Sequence, residues 1–173
     1  MNSKNSSPIK GSMNVTGAVG AWERVTKARS LQHLSAQDFL RTSVQSFFEL
    51  HGDRVLYDDT KVVTGLGFFR QHRIAFVAQL PSPQSMGAAG LRKVMRLLNL
   101  AQRFRLPVIN FIDVVGSHPQ DEPHGPMWLA VGQTMEAYLR LDVPTVSVLL
   151  GEGVSGSAIA LCMTDRLLAL ENS

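Results

Sequence analysis

The glycine-rich segment Gly151–Ala158 (GEGVSGSA) is the part of the sequence best suited to bind a negative charge. It follows an apolar run at 145–150 and leads into a helical pattern at 155–163. Glycines at a strand-to-helix turn let the backbone approach a ligand, and the first N–H groups of a helix lack internal acceptors. The segment therefore suits an anion or a developing oxyanion. The alternative is a tight turn of small residues, since the spacing matches neither the phosphate-loop pattern nor G-x-G-x-x-G.

A second candidate segment, Asp113–Pro119 (DVVGSHP), follows the apolar run at 108–112. Because ligands of open α/β sheets gather outside the carboxyl ends of the strands, the two segments are expected to lie at one edge. Four potential metal ligands lie in the polar stretch that begins here: His118, Asp121, Glu122 and His124. No helix spaces them, so the stretch is either a metal site or an exposed loop.

The elements that would position these segments alternate in type along the chain. Apolar periodicity predicts helices at 21–29, 37–50, 91–104, 126–139 and 155–163, and strands at 62–69, 74–78, 108–112, 145–150 and 166–170. Ser35 is expected to cap the second helix and Gly52 to end it. The short connection between the first two strands predicts an antiparallel pair. The later alternation of strands and helices predicts a largely parallel sheet. Residues 1–20 are predicted to form a disordered tail, and 21–173 a single α/β domain.

The composition excludes several classes of protein. The chain has 173 residues, is 45% hydrophobic and has a mean hydropathy of +0.03, with no apolar run of the roughly 18 to 20 residues that a membrane span needs. The polar start of the chain lacks the apolar run of a secretory signal. The single cysteine, Cys162, is expected in the core and excludes a disulfide framework. We therefore expect a cytoplasmic protein.

The charge of the chain is mildly basic. The formal net charge is +3, which does not indicate a dedicated nucleic-acid binder. The basic side chains of the helix predicted at 91–104 lie largely off its apolar stripe: Arg92, Lys93, Arg96 and Arg103. They form either a solvated face or an attraction for a phosphorylated ligand.

Four stretches, in order, resemble one protein family. They are AWERVTKARS at 21–30, FFELHGDR at 47–54, GLRKVMRLLNLAQRFRLPVINFID at 90–113 and VPTVSVLLGEGVSGSAIALCMTDRLLALENS at 143–173. Together they are similar to the carboxyltransferase alpha subunit of bacterial multi-subunit acetyl-CoA carboxylase. The resemblance implies a crotonase-like α/β fold, the ClpP/crotonase spiral of ββα units. It also implies that the C-terminal part of the family fold, which continues past Ser173, is missing.

The resemblance also implies an activity and its partners. The family moves a carboxyl group from carboxybiotin, held on a separate carrier protein, to acetyl-CoA, which gives malonyl-CoA for fatty acid biosynthesis. The implied partners are a carboxyltransferase beta subunit and the biotin carboxyl carrier protein, in a hetero-oligomer. No metal bound by this chain, no membrane and no nucleic acid are expected.

The implied site residues lie in the two glycine-containing segments. The backbone amides of Gly153 and Val154 would stabilise an oxyanion at a helix start, and Gly116, Ser117 and Gly156 would bind biotin. The family has glycine where this chain has Val154 and Ser157. The β-branch of Val154 is expected to crowd the pocket and to disfavour a positive φ.

Two other functions are compatible with the sequence. The chain could be a catalytically degenerate alpha-like paralogue that binds a beta-type subunit without turnover, because its active-site segments differ from the family pattern. It could also be an independent crotonase-like hydrolase or decarboxylase with His118 as its base. Activity with a matched beta subunit, or without any partner, would separate these hypotheses.

Overall fold

The computed structural model describes residues 20–30, 34–80, 82, 85–114 and 125–173. The elements in chain order are α1 (Ala21–Ala28), α2 (Ala36–Ser43), β1 (Val44–Glu49), β2 (Val62–Phe69), β3 (His72–Gln79), α3 (Ala88–Phe104), β4 (Val108–Val114), α4 (Met127–Leu139), β5 (Thr145–Gly153), α5 (Gly156–Leu161) and β6 (Arg166–Ala169). The predicted tail, apart from Gly20, lies outside the described residues. None of the described helices combines the length and the apolar character needed to cross a membrane.

One six-stranded sheet organises the described residues, and its strand order follows the chain from β1 to β6. β1, β2 and β3 pair antiparallel, whereas β3, β4, β5 and β6 pair parallel. The parallel strands are joined through α3, α4 and α5, because a parallel pair needs a crossover connection. The predicted antiparallel pair and the predicted parallel sheet are both confirmed.

Two apolar clusters cover the two faces of the sheet. Val77 and Ile112 belong to the larger cluster, which also contains buried side chains of α3, α4 and α5. Phe76 and Phe111 belong to the smaller cluster with Leu40 of α2. Neighbouring residues of β3 and β4 thus point to opposite faces, as the period-two geometry of a strand requires. Both faces of the central strands are buried, which explains their nearly continuous apolar sequence.

The second predicted helix, 37–50, is wrong in its second half. α2 begins where expected, because the Ser35 side chain accepts a hydrogen bond from the N–H of Asp38 and the Asp38 carboxylate accepts one from the N–H of Ser35. The chain then becomes strand β1, in which Val44 pairs with Phe69. Pairing with β2 favours the extended conformation for a segment rich in β-branched and aromatic residues. Gly52 has the expected positive φ of 72°, but in a loop.

Other boundaries differ by a few residues at the ends of strands and helices. α3 begins at Ala88, before the predicted residue 91, and α5 is shorter than predicted. β4 and β5 run past their predicted ends, because Val114 pairs with Gly153 beyond a register shift. Both extensions carry the strands into the glycine-containing segments singled out from the sequence.

Aspartate side chains clamp the loop between β1 and β2 onto α3. The Oδ1 atom of Asp53 accepts hydrogen bonds from three backbone N–H groups of the loop, those of Val55, Leu56 and Tyr57. The Oδ2 atom of Asp53 accepts two hydrogen bonds from the Arg92 guanidinium, at 2.7 and 2.9 Å. Burial opposes the charge of Asp53. The backbone donors and Arg92 outweigh it and hold the pKa of this carboxyl well below its usual range.

Lys93 belongs to the same clamp and is not part of a solvated basic face. Its side chain is 1% exposed. Its Nζ donates to Asp58 Oδ1 at 2.7 Å and to the Val62 carbonyl at 2.9 Å. Burial likewise opposes the charge of Asp58, yet Lys93 and the Gly52 N–H lower its pKa overall. A third carboxylate, Asp59, accepts a hydrogen bond from the Gly87 N–H just before α3.

The clamp predicts acid sensitivity of the fold. Because the folded-state pKa values of Asp53 and Asp58 are lowered, their stabilisation is present above the unfolded pKa of about 4 and is lost as the pH falls through the folded values. Asp53→Asn should lower the free energy of unfolding at pH 7 by about 3 kcal/mol, since it removes the buried carboxylate that pairs with Arg92. It should also flatten the pH dependence below pH 5. Urea unfolding at several pH values measures both effects.

The matched control for this experiment is Glu171→Gln, which removes an exposed carboxyl. It should leave the stability within about 0.5 kcal/mol of the parent. Equal stability of the two variants at pH 7 would contradict the role given to the clamp.

Two glycines of β2 leave room for residues of the neighbouring strands β1 and β3 to pack closely against it. A Cβ at Gly65 would lie 2.5 Å from the Phe48 carbonyl oxygen and 2.6 Å from the Phe76 ring, and a Cβ at Gly67 would lie 2.7 Å from Val44. Gly65→Ala should therefore lower the free energy of unfolding by about 1–3 kcal/mol. Gly132→Ala, in α4 with no neighbour within 4 Å of its Cβ, should raise it by about 0.5–1 kcal/mol. Denaturant unfolding of both variants tests the pair, and a stabilised Gly65→Ala would contradict it.

Candidate functional site

The candidate site lies where β3, β4 and β5 end at the carboxyl edge of the parallel sheet. These strands end at Gln79, Val114 and Gly153. The buried Asp113 precedes the end of β4. Gly116 and Ser117, the predicted wall of the biotin pocket, lie outside the described residues. So do the possible metal ligands His118, Asp121, Glu122 and His124.

The predicted oxyanion donors lie before α5, not in its first turn. Gly153 is the last residue of β5, Ser155 is the N-cap and α5 begins at Gly156. Gly153 and Val154 are both exposed, and no described residue accepts a hydrogen bond from the Val154 N–H. The Val154 N–H is therefore the backbone donor of this segment that has no acceptor among the described residues, whereas Gly153 still pairs with Val114 in the sheet.

The backbone strain expected from Val154 is absent. Val154 is not among the residues with positive φ. Its backbone therefore does not adopt the left-handed conformation that a β-branched residue disfavours. The residue is 67% exposed. Gly156 has a packing role, because a Cβ there would lie 3.3 Å from Val131 of α4. Glycine at this position thus lets α5 pack closely on α4.

A buried chain of polar side chains ties the segment after β5 to the end of β3. The Gln79 Nε2 donates to Ser157 Oγ at 3.3 Å, and Ser157 Oγ lies 2.7 Å from Ser155 Oγ. Ser155 Oγ in turn accepts the N–H of Ala158 at 3.2 Å. The serine at 157 therefore fixes the Gln79 amide as well as the start of α5.

The carbonyl oxygen of the Gln79 amide has no hydrogen-bond partner among the described residues, although the residue is fully buried. A buried amide of the neighbouring strand behaves differently. Asn110 Nδ2 donates to Ser147 Oγ and to the Leu161 carbonyl, and Asn110 Oδ1 accepts from the Tyr138 hydroxyl. Buried polar atoms are normally paired, so Gln79 is the unusual member of this pair.

An ion pair joins α1 to the glycine-rich segment. Arg29, at the end of α1, pairs with Glu152, whose side chain is 11% exposed. The hydrogen bond from Arg29 and the charge of Glu152 raise the pKa of Arg29. These residues are 123 positions apart in sequence, so no local sequence pattern predicts their contact. Glu152 immediately precedes Gly153, so the pair restrains the backbone next to the candidate donors.

The chemistry offered by the described residues rests on hydrogen-bond donors. Burial raises the pKa of the Cys162 thiol, which disfavours the thiolate that a nucleophile requires. Cys162 is half-buried at the end of α5. No group of three or more potential metal ligands occurs in the part of the chain that the structure describes. A backbone N–H without an internal acceptor, such as that of Val154, can stabilise an oxyanion without transferring a proton.

Solved structures similar to this chain establish its fold. The transcarboxylase 12S hexamer, solved with methylmalonyl-coenzyme A and methylmalonic acid, matches with a TM-score of 0.67 at 20% identity, over 84% of this chain and 31% of that chain. The Pseudomonas malonate decarboxylase MdcD–MdcE hetero-dimer matches with a TM-score of 0.65 at 22% identity, over 87% of this chain and 68% of that chain. The chain has the crotonase-like α/β fold.

The family follows from comparison at the level of sequence. A family model described as acetyl co-enzyme A carboxylase carboxyltransferase-like matches residues 6–173, so the chain belongs to that family. Acetyl-coenzyme A carboxylase carboxyl transferase subunit alpha of Thermus thermophilus is 36% identical over 169 residues, which cover 88% of this chain and 52% of the relative. The subunit of the same name from Caulobacter vibrioides is 37% identical over 165 residues, covering 88% and 51%. The chain thus spans about half the length of these curated relatives.

The contrast between the two buried amides predicts different costs of removal. Gln79→Met loses one hydrogen bond but removes an unpaired carbonyl, so it should lower the free energy of unfolding by less than about 1.5 kcal/mol. Asn110→Leu leaves the buried Tyr138 hydroxyl unpaired and should cost at least about 3 kcal/mol. Denaturant unfolding distinguishes the two variants. A larger loss for Gln79→Met would show that its carbonyl has a partner in solution.

Proposed function

We propose that the chain is the alpha subunit of an acetyl-CoA carboxylase carboxyltransferase. In the reaction, the bond between the carboxyl carbon and the biotin nitrogen breaks, and a bond forms between that carbon and the methyl carbon of acetyl-CoA. The methyl proton passes to the ureido nitrogen, so the products are malonyl-CoA and biotin. Membership of the family supports this assignment.

The observation that carries the proposal is the exposed pair Gly153 and Val154, the last residue of β5 and the residue that follows it. Negative charge develops on the ureido oxygen as the nitrogen–carbon bond breaks, and N–H donors held in place stabilise it most. The Arg29–Glu152 ion pair and the Ser155 cap hold the segment on both sides. The proposed biotin-binding residues are Gly116, Ser117 and Gly156, with Gly156 also required for packing.

The proposed partners are a carboxyltransferase beta subunit and the biotin carboxyl carrier protein, with acetyl-CoA as the acceptor. Exposed apolar side chains support a hetero-oligomer. In β6 and just after it, Leu167, Leu168 and Leu170 are each 43–55% exposed. Large apolar side chains left exposed on an edge strand are available for burial against a partner. We also propose that residues 21–173 form one domain.

Carboxyl transfer by the reconstituted complex tests the proposal. The chain is mixed with beta subunit, biotinylated carrier and acetyl-CoA, and malonyl-CoA is measured together with particle mass by light scattering. Val154→Pro removes one backbone donor and should lower kcat by about 10²–10³-fold. Val154→Ala and Val154→Gly retain the N–H and should keep at least the parent rate.

Each outcome of this experiment has a separate meaning. Circular dichroism and an unchanged particle mass establish that Val154→Pro still folds and assembles. A Val154→Pro complex as active as the parent would contradict the donor role of Val154. A stable parent complex that forms no malonyl-CoA would replace the enzymatic assignment with that of a non-catalytic partner.

A further inference from the structure

An open groove between α3 and α4 lies apart from the candidate site. Its volume is about 540 Å³, within the range of about 300–1,000 Å³ typical of small-molecule sites. Four apolar side chains line it: Met95, Leu98, Ala137 and Leu141. Neither Gly153, Val154 nor Gly156 is among its lining residues. The groove is therefore separate from the candidate oxyanion site.

Positively charged side chains dominate the walls of this groove. Arg92 and Arg96 lie one helical turn apart on α3, and Arg140 follows the end of α4 on the opposite wall. Among the described residues, the lining contains one carboxylate, Glu136, against these three arginines. A concave surface with an excess of one charge sign concentrates ligands of the other sign.

The guanidinium of Arg96 is held in a fixed position by neutral acceptors. Its Nη1 donates to the carbonyl oxygens of His51 and Gly52, at 2.8 and 2.9 Å. No carboxylate of the described residues lies within 4.0 Å of it. Arg96 is thus pre-organised, and no carboxylate of the described part of the chain pairs with it.

The other two arginines have carboxylate partners that differ in strength. Arg92 is bonded to the buried Asp53, which orients it as part of the clamp. Arg140 pairs with Glu136 on the same helix, and both side chains are largely exposed. An exposed pair of this kind contributes little energy and is readily exchanged for a ligand. Arg96 and Arg140 are therefore the cations of the groove that are available to an anion.

We propose that this groove binds a phosphate-bearing ligand whose remaining part is a flat or apolar group, as in a nucleotide. Arginine recognises phosphate through parallel N–H donors. The side-chain amides of Asn99, Gln102 and Gln133 line the groove as further hydrogen-bonding groups, and its apolar residues accommodate a base. This binding does not depend on carboxyl transfer.

Isothermal titration of the whole chain with ADP, at low ionic strength, tests the proposal. ADP should bind saturably, adenosine should not, and added salt should weaken the binding of ADP because the charges are screened. Coenzyme A is titrated in parallel, since its nucleotide end has the same chemistry. Equal affinities would assign recognition to the nucleotide alone, and a higher affinity for coenzyme A would assign part of it to the pantetheine arm.

Three substitutions locate the binding. Arg140→Gln changes a largely exposed side chain and should weaken ADP binding about tenfold, the effect of one charged hydrogen bond. Arg96→Gln should weaken it at least as much. Arg103→Gln is the matched control, because this exposed arginine of α3 lies over the Phe104 ring and not in the groove. It should leave the affinity unchanged.

The proposal fails if ADP does not bind to the folded chain, whether or not coenzyme A binds. It also fails if Arg96→Gln and Arg140→Gln bind ADP as the parent does, or if Arg103→Gln weakens binding equally. Because the titration needs neither the beta subunit nor carboxyl transfer, its result is independent of the function proposed above.

Discussion

The hydrogen bonds of Asn110 are the constraint on which the centre of this structure depends. Its carboxamide lies on the central strand β4 and is fully paired with Ser147 of β5, Tyr138 of α4 and the carbonyl of Leu161 in α5. An amide in the apolar interior is stable only in a register that satisfies all of these groups. The two strands and the two helices around the candidate site are therefore held in one relative position.

The second set of constraints acts at the antiparallel side of the sheet. The clamp residues Asp53, Asp58 and Asp59 fasten the loop before β2 to α3, while Gly65 and Gly67 let β1 approach. The clamp also orients Arg92, and the loop carbonyls orient Arg96. The same contacts that stabilise the loop therefore shape the basic groove between α3 and α4. Structural and ligand-binding roles are thus combined in neighbouring residues of one helix.

The candidate catalytic edge and the groove differ in the source of their positive charge. At the edge, the proposed source of positive partial charge is a backbone N–H in a segment restrained by Glu152 and Ser155 nearby. In the groove, the charge comes from arginine side chains. The carbonyl of Gln79, which has no hydrogen-bond partner among the described residues, lies at this edge. The amide nitrogen of the same side chain donates to Ser157, and residue 157 is the position where the family resemblance implies glycine. This chain thus has one buried hydrogen bond that a glycine could not make.

The sequence by itself determined the alternation of strands and helices, the parallel sheet and the glycine-rich segment after β5, because apolar period and turn residues are local properties. It misassigned 44–49 as helix, since an apolar run that pairs with a distant strand has no local mark of that pairing. It also grouped Lys93 with the basic side chains off the apolar stripe. Only the tertiary structure decided the Arg29–Glu152 pair, the burial of Lys93, the unpaired Gln79 carbonyl and the position of Val154 before α5. Each of these depends on residues that are remote in sequence and become neighbours only when the sheet and its crossover helices pack.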